Sequence, residues 1–213
     1  MPSRTVKETR IEIPPIDIRT MDIKVVSDSP LIMHRWGAPS RQAILDKMLG
    51  KAKTSARIAK DPVREFIDSM YWISGCPKEQ TKEGFEAAIE SGEAKFGFPS
   101  VAFKAAACAA GYRAKVMKDM VTMRGNLHID DDFVEIEGVP TMREDIVRIA
   151  NNAPDIRYRG EFPKWSATMT VKFNAGVVSD EQVVSLFNLG GFICGVGEWR
   201  PEKGGSFGMY HVV

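Results

Sequence analysis

The segment GVGEWRPEKGGSFG, residues 195–208, contains the residue types best suited to chemistry in this sequence. Its five glycines are Gly195, Gly197, Gly204, Gly205 and Gly208. A glycine within ordered structure costs roughly 0.5–1 kcal/mol relative to alanine, so several together indicate a backbone that adopts positive φ or approaches another group closely. Successive uncovered N–H groups form a concavity that binds anions. The glycines therefore predict a phosphate site.

Three side chains of the same segment fit a nucleotide ligand. Arg200 and Lys203 supply positive charge, and Trp199 supplies a ring on which a base can stack. Such stacking is worth roughly 1–3 kcal/mol per base and needs no particular base sequence. In the alternative interpretation the glycines allow a tight helix–strand connection and Trp199 lies in the core. The two interpretations differ in whether the segment faces a ligand or the protein interior.

A second candidate binding region is the strongly basic stretch between residues 35 and 60. Its seven cations, against the single acid Asp46, are Arg35, Arg41, Lys47, Lys51, Lys53, Arg57 and Lys60. This concentration in a nearly neutral chain predicts a polyanion patch, to which Trp36 adds an aromatic ring. The alternative is an exposed helix face whose charge is balanced by acids elsewhere, such as those of DDDFVEIE.

The segment MREDIVRIANNAPDIRYRGEFPKW, residues 142–165, mixes cations with aromatic rings. The cations are Arg143, Arg148, Arg157, Arg159 and Lys164, and the rings are Tyr158, Phe162 and Trp165. Arginine next to aromatic residues suits phosphate contact combined with base stacking. In an extended chain Arg157 and Arg159 share one side, facing a ligand, while Tyr158 packs inward on the other. Alternatively these arginines are ordinary surface or ion-pair residues.

Little in the sequence supports catalysis. Of the three histidines, His34 lies just beyond the first predicted strand beside Arg35 and Trp36, where the ordinary role is that of a packed or ligand-contacting histidine. His211 alternates within the last predicted strand, which favours a structural role. The GxxxxGK[ST] and HExxH motifs do not occur. The adjacent aspartates of IDDDF would not converge on a metal, so the sequence predicts no metal and no cofactor.

Composition limits the class of protein. Of 213 residues, 44% are hydrophobic and 27% are charged, which is typical of a globular chain. The net charge of +1 excludes a uniformly basic coat, so a polyanion site must be a local patch. Three scattered cysteines argue against a disulfide framework and for a reducing compartment. No apolar run is long enough for a membrane span, and the sequence predicts a cytoplasmic protein without membrane contact.

Hydrophobic periodicity predicts an α+β fold. The predicted order is strand, helix, strand, strand, helix, strand, a ferredoxin-like (RRM-like) βαββαβ core with an antiparallel sheet. The strands lie in MDIKVV, FVEIEG, SATMTVKFNAG and SFGMYHVV, and the two helices lie in FPSVAFKAAACAAGYRAKVMKDM and SDEQVVSLFNLGG. The last of these segments opens with a capping box between Ser179 and Gln182.

Two large insertions interrupt this single domain of residues 1–213. The first, residues 35–98, is predicted to be mainly helical, with helices in SRQAILDKMLGKAKTSARIAK and PVREFIDSMYWI. The second, residues 139–164, is rich in arginine and aromatic residues. Within it, TMREDIVRIA fits either a capped helix or a strand, and the sequence leaves both open.

Three segments together resemble the RAMP superfamily of CRISPR-associated proteins, especially the backbone subunits that hold guide RNA. They are SDSPLIM after the first strand, FPSVAFKAAACAA at the start of a helix, and GFICGVGEWRPEKGGSFGMYHV before the last strand. The second segment is similar to the family's helix start with a basic residue in its first turn, which implies a binding role for Lys104. The chain is shorter than most such subunits, which suggests a compact relative of phage or mobile-element origin.

The resemblance implies a protein that binds single-stranded nucleic acid, RNA in particular, and self-associates along it as a homo-oligomer. Two other classes stay open. One is a metal-independent endoribonuclease, since the resemblance implies that a histidine in the region of His34 can act as acid or base, with nearby cations stabilising the phosphorane. The other is a binder of small or cyclic nucleotides that blocks host defence signalling, because a glycine-rich concavity also suits a lone phosphate. The choice between RNA and DNA depends on contacts to the 2′-hydroxyl that the sequence does not define.

Overall fold

Two antiparallel sheets organise the chain in a computed structural model that describes residues 15–50, 59–116, 119–148 and 152–213. The strands are β1 (Ile18–Ser27), β2 (Leu31–Met33), β3 (Tyr71–Ser74), β4 (Lys95–Pro99), β5 (Leu127–Ile129), β6 (Phe133–Glu137), β7 (Thr141–Arg148), β8 (Pro154–Phe162), β9 (Ser166–Asn174) and β10 (Tyr210–Val212). The helices are α1 (Ala38–Met48), α2 (Pro62–Asp68), α3 (Lys82–Glu90), α4 (Ser100–Arg113), α5 (Met120–Asn126) and α6 (Asp180–Leu189).

The larger sheet has the strand order β10-β1-β9-β6-β4-β3, with β5 also paired to β9. Each of these pairings is antiparallel. The smaller sheet has the order β2-β8-β7 and is antiparallel as well. The prediction of an α+β fold with an antiparallel sheet is therefore confirmed. The predicted order of strands and helices corresponds to β1, α4, β6, β9, α6 and β10.

The core lies between the larger sheet and helices α4 and α6. Strand β9 alternates as its sequence predicts, with Ala167, Met169, Val171 and Phe173 buried. The buried alanines Ala106, Ala107 and Ala110 and the adjacent Gly111 let α6 approach α4 closely, because a β-carbon at Gly111 would overlap the Leu186 side chain. Small residues at this contact therefore set the spacing of α4 and α6.

Helix ends follow the local sequence signals in part. The capping box at α6 is confirmed, since Gln182 N donates to Ser179 Oγ at 3.3 Å and Ser179 N donates to Gln182 Oε1 at 2.9 Å. Helix α4 begins at Ser100 as predicted but has no side-chain cap. Instead the Ser100 N–H donates to the carbonyl of Asp132 at 2.9 Å. Backbone from another segment therefore satisfies this N–H group at the start of the helix.

The two insertions contain more strand than their sequences suggest. The segment PVREFIDSMYWI is not one helix, because α2 ends at Asp68 and the aromatic residues that follow form β3, which pairs with β4. The ambiguous segment TMREDIVRIA forms strand β7 over residues 141–148, paired with β8. The basic residues Lys51, Lys53 and Arg57 lie outside the described part of the chain.

Candidate nucleic-acid interface

The segment of residues 195–208, called the glycine loop here, uses most of its glycine N–H groups within the protein. Four of them donate to backbone carbonyls, namely Gly195 to Gly190 at 2.9 Å, Gly204 to Pro201 at 2.9 Å, Gly205 to Arg200 at 3.1 Å and Gly208 to Pro30 at 2.7 Å. The expectation of an uncovered row of N–H groups is therefore wrong. The cause is local, because the loop folds back on itself and against the segment that precedes β2.

Close backbone approach explains why two of these positions need glycine. Gly208 has φ +66° and a β-carbon there would overlap the carbonyl oxygen of Val196. At Gly205 a β-carbon would overlap the carbonyl oxygen of Trp199. Packing therefore accounts for Gly205 and Gly208, as the alternative interpretation held, but not for Gly204, where a β-carbon would meet nothing within 4 Å. That interpretation is wrong about Trp199, however, because this side chain is 44% exposed.

A cleft with a volume of about 190 Å³ lies beside the glycine loop. Its polar lining residues are His34, Glu198, Arg200 and Glu202. Its apolar lining residues are Tyr71, Phe98 and three alanines of α4, which are Ala102, Ala105 and Ala106. Gly195, Val196 and Gly197 complete the lining. The structure therefore brings His34 together with part of the predicted glycine-loop site.

Backbone pairing holds the glycine loop next to the end of β2. The Glu198 N–H donates to the carbonyl of Ile32 at 3.0 Å. This bond brings His34 beside Glu198, with 3.7 Å between Nδ1 and Oε1. Trp36 follows His34 by two residues and is 57% exposed, while Trp199 follows Glu198 directly. The two exposed tryptophans thus lie in the two segments that this contact joins.

Arg200, predicted as a phosphate ligand, is held by protein groups. Its Nε and Nη2 donate to Glu202 Oε2 at 3.1 and 3.0 Å, and its Nη1 donates to the carbonyl of Gly197 at 3.0 Å. Arg113 donates to the other carboxylate oxygen of Glu202 at 2.9 Å. Burial alone would raise the pKa of Glu202, but the hydrogen bonds from Arg200 and Arg113 outweigh it and lower the pKa. A phosphate at Arg200 would have to compete with this carboxylate.

Four cations of the predicted site are free of such partners. Among the residues described, the side chains of Arg35, Arg41, Lys47 and Lys203 make no hydrogen bond or ion pair. Lys60, by contrast, pairs with Asp155 at 2.7 Å. The basic stretch therefore keeps uncompensated positive charge next to Trp36. The charge of Lys60 is balanced by an acid elsewhere in the chain, as the alternative interpretation of this stretch expected.

The predicted arginines of β7 and β8 are largely compensated. Arg143 donates to Asp145 and Glu161, each at 2.9 Å, and stacks over the Phe207 ring with 4.8 Å from Cζ to the ring centroid. Arg157 has Asp155 at 3.7 Å and remains partly exposed. The Phe207 contact places the hairpin of β7 and β8 against the glycine loop.

Arg159 lies inside the protein rather than on the ligand-facing surface that its alternation with Tyr158 suggested. Its side chain is 2% exposed and pairs with Asp145 at 3.2 Å, and its Nε has no hydrogen-bond partner. Burial lowers the pKa of this guanidinium, opposed by the nearby carboxylates of Glu198 and Asp145. The strand is extended as assumed, but α2 packs against β8 and the Arg159 side chain is covered.

Arg159→Ala is expected to lower the free energy of unfolding by about 1.5–3 kcal/mol, the usual worth of a buried hydrogen bond to a charged group. Arg157→Ala, a matched control two residues away on the same strand, is expected to change it by less than about 0.5 kcal/mol. Chemical denaturation of both variants measures the difference. Equal stability of the two variants would contradict the assignment of Arg159 to the interior.

Lys104 lies apart from the cleft lining. Its Nζ is 3.3 Å from Nδ1 of His128, and His128 Nε2 is 3.0 Å from the carbonyl oxygen of Gly125. A neutral ring protonated at Nε2 satisfies both contacts, since it donates to Gly125 and accepts from the Lys104 ammonium. Lys104 thus faces β5, whereas its neighbours Ala102 and Ala105 line the cleft.

Sequence-based reasoning missed most of the cleft lining, including Tyr71, Phe98, Glu198 and Glu202. Tyr71 was assigned to a helix, Phe98 carries no signal beyond its hydrophobicity, and the two glutamates lie inside the glycine segment, where only the cations were considered. The two carboxylates were a detectable signal, since acids between glycines in a proposed phosphate site are unexpected.

Three further features of the described residues concern membrane spans, metal ions and cysteines. None of the helices found there is long and apolar enough to cross a membrane. In the same ranges, no group of three or more His, Cys, Asp or Glu side chains could hold a metal ion. Cys76 is exposed and Cys108 and Cys194 are buried, and all three are free thiols.

The fold and the cleft define an α+β protein with two antiparallel sheets and a mixed polar and apolar cleft beside a glycine-rich loop. No family model and no curated protein matches the sequence. Among solved structures, the chain is similar to Cmr6 from Pyrococcus furiosus, with 10% sequence identity and a TM-score of 0.42. The match covers 93% of this chain and 100% of that one. At these values the similarity carries no weight for function.

Proposed function

We propose that this protein binds single-stranded nucleic acid, RNA in particular, on the surface around the cleft. The observation that carries the proposal is the convergence of two exposed tryptophans and uncompensated cations. Trp36 and Arg35 follow His34, Trp199 follows Glu198, and these two segments are joined by the Glu198–Ile32 hydrogen bond of 3.0 Å. Stacking rings combined with a local positive groove bind single strands without requiring a sequence.

The charge distribution supports a strand rather than a lone anion. The net charge is +1, yet Arg35, Arg41, Lys47 and Lys203 are without partners among the described residues. These cations lie outside the cleft lining, whereas the cleft itself contains two carboxylates. Phosphates therefore find their counter-charges around the cleft, in separate places, as a chain of several nucleotides requires.

The proposal also includes a more specific fold, a ferredoxin-like core, and a relationship to a known superfamily. The order β10-β1-β9-β6, with α4 and α6 as the connecting helices, supports a ferredoxin-like core. The sequence segments that resemble the RAMP superfamily support a CRISPR-related relative of phage or mobile-element origin, and with it RNA as the ligand. Self-association along the ligand and a cytoplasmic location are parts of this proposal.

Salt dependence tests the proposed binding. If about four phosphates are neutralised by the uncompensated cations, the slope of log K against log salt for a single-stranded oligomer is expected to be about −3, at roughly −0.7 per contact. Fluorescence anisotropy with a labelled oligouridine over a range of salt concentrations measures this slope. A slope near zero, or no binding at any salt concentration, would contradict the proposal.

The proposed activity is binding without cleavage, so end-labelled RNA is expected to stay intact during prolonged incubation. An endoribonuclease is the second candidate, because His34 and Glu198 face each other at 3.7 Å in a cleft that Tyr71 also lines. Such a pair suits general acid–base catalysis. Cleavage by the protein that disappears in His34→Ala, with folding unchanged, would establish the second candidate instead.

A further inference from the structure

The dimensions of the cleft suit a single planar ring system. Its volume of about 190 Å³ is below the range of roughly 300–1,000 Å³ typical of sites for larger ligands. Its apolar lining residues are Tyr71, Phe98 and the small side chains that α4 presents, beside the polar residues of the lining. A nucleobase has apolar faces and a polar edge, so it matches a lining that contains both kinds of group.

The polar residues of the cleft lining disfavour phosphate. Glu202 already accepts hydrogen bonds from Arg200 and Arg113, so the positive charge of both arginines is offset. Glu198 adds a second carboxylate, and the basic side chain within 4 Å of it among the residues described is the imidazole of His34. A further anion placed between two carboxylates would be repelled. A group with N–H donors would be attracted.

Glu198 is the carboxylate with acceptor capacity to spare. A carboxylate offers about four lone-pair positions. His34 Nδ1, at 3.7 Å, is beyond ordinary hydrogen-bond distance. His34, followed by the more distant Arg159 and Arg157, keeps the pKa of Glu198 below its usual value despite partial burial, so this group accepts but does not donate at neutral pH. Its backbone is fixed by the bond to Ile32.

The four RNA bases differ in what they present to such an acceptor. Guanine carries two adjacent donors, N1–H and the 2-amino group, on its Watson–Crick edge. Adenine and cytosine place one amino donor beside a ring-nitrogen acceptor, and uracil places its single N–H between two carbonyls. Because an acceptor facing a carboxylate is repelled, guanine alone can pair with both oxygens at once.

We propose that the cleft holds one unpaired guanine base of the bound strand, with Glu198 accepting hydrogen bonds from N1–H and the 2-amino group. This inference rests on the proposed binding of single-stranded nucleic acid and adds a base preference to it. Recognition of a splayed base through its Watson–Crick edge is a common means of sequence-specific RNA binding. Phosphates of the neighbouring nucleotides then reach Arg35 and Lys203 outside the cleft.

Calorimetric titration with nucleosides tests the pocket without phosphate contacts. Guanosine is expected to bind the wild-type protein more tightly than inosine, which lacks the 2-amino group, and adenosine is expected to bind weakest. Glu198→Gln is expected to weaken guanosine binding by roughly 5- to 150-fold, the worth of one bidentate base contact, and to leave adenosine binding unchanged. Glu86→Gln, on the exposed face of α3 and outside the cleft, is the matched control.

Oligomers separate this inference from the proposed function. An oligouridine with one central guanosine is expected to bind more tightly than the same oligomer with adenosine, and Glu198→Gln is expected to remove the difference. Binding of both oligomers with equal affinity would overturn the guanine pocket and leave the proposed function standing. Failure of every oligomer to bind, with guanosine still bound and sensitive to Glu198→Gln, would overturn the proposed function. Equal binding of the three nucleosides would also overturn the pocket.

Discussion

Gly208→Ala is expected to lower the free energy of unfolding by about 2–5 kcal/mol. Gly208 has φ +66°, and an L-residue in this region costs about 1–2 kcal/mol. A β-carbon would in addition overlap the carbonyl oxygen of Val196, and such overpacking costs about 1–3 kcal/mol. The Gly208 N–H also donates to Pro30, so the backbone cannot move away without losing that bond. Denaturant unfolding measures the change.

Gly204→Ala is the matched control for this experiment. Gly204 has φ +80° but nothing lies within 4 Å of the position of its β-carbon. Gly204→Ala is expected to lower the free energy of unfolding only by the cost of a positive φ for an L-residue, about 1–2 kcal/mol. The difference between the two variants isolates the cost of close backbone approach. If Gly204→Ala and Gly208→Ala were equally stable, close packing would not be the reason for glycine at position 208.

Regular elements were predictable where one periodic pattern spans an entire element. The alternation of β9 is complete, and the capping box of α6 is a local signal that involves only Ser179 and Gln182. Strand β3 was not predictable in this way, because Tyr71 and Trp72 continue a helical pattern. Their pairing with β4 depends on residues 95–97, which are distant in sequence. Tertiary pairing here overrides the local preference.

Candidate residues could be singled out from the sequence, but neither their arrangement nor their chemistry was predictable. His34 lines the cleft beside the glycine loop, which contains Trp199, whereas the sequence placed these residues in separate regions. Whether each cation is free or paired with a carboxylate was not predictable. Arg200 binds Glu202, two residues away, because of side-chain geometry that the sequence does not define. Arg159 shows the same limit, since alternation within β8 assigns its face but does not reveal that the face is covered.

Simultaneous replacement of Trp36 and Trp199 by alanine is expected to weaken binding of a single-stranded oligomer by about 2–6 kcal/mol. Each base–aromatic stack contributes roughly 1–3 kcal/mol when measured by alanine substitution. Both side chains are about half exposed, at 57% and 44%, so the rings have a free face available for a base. The loss corresponds to at least about 30-fold in Kd. Anisotropy titrations at one fixed salt concentration measure it.

Stability and salt dependence distinguish lost stacking from other causes of weaker binding. Because the two rings are exposed, each single variant is expected to change the free energy of unfolding by less than about 0.5 kcal/mol. The log–log salt slope is expected to stay the same, since no phosphate contact is removed. Tyr112→Ala, an aromatic residue 50% exposed on α4, is the matched control and is expected to leave affinity unchanged. If the double variant bound with full affinity, the exposed tryptophans would have no part in binding. The proposed function would then lose the observation that carries it.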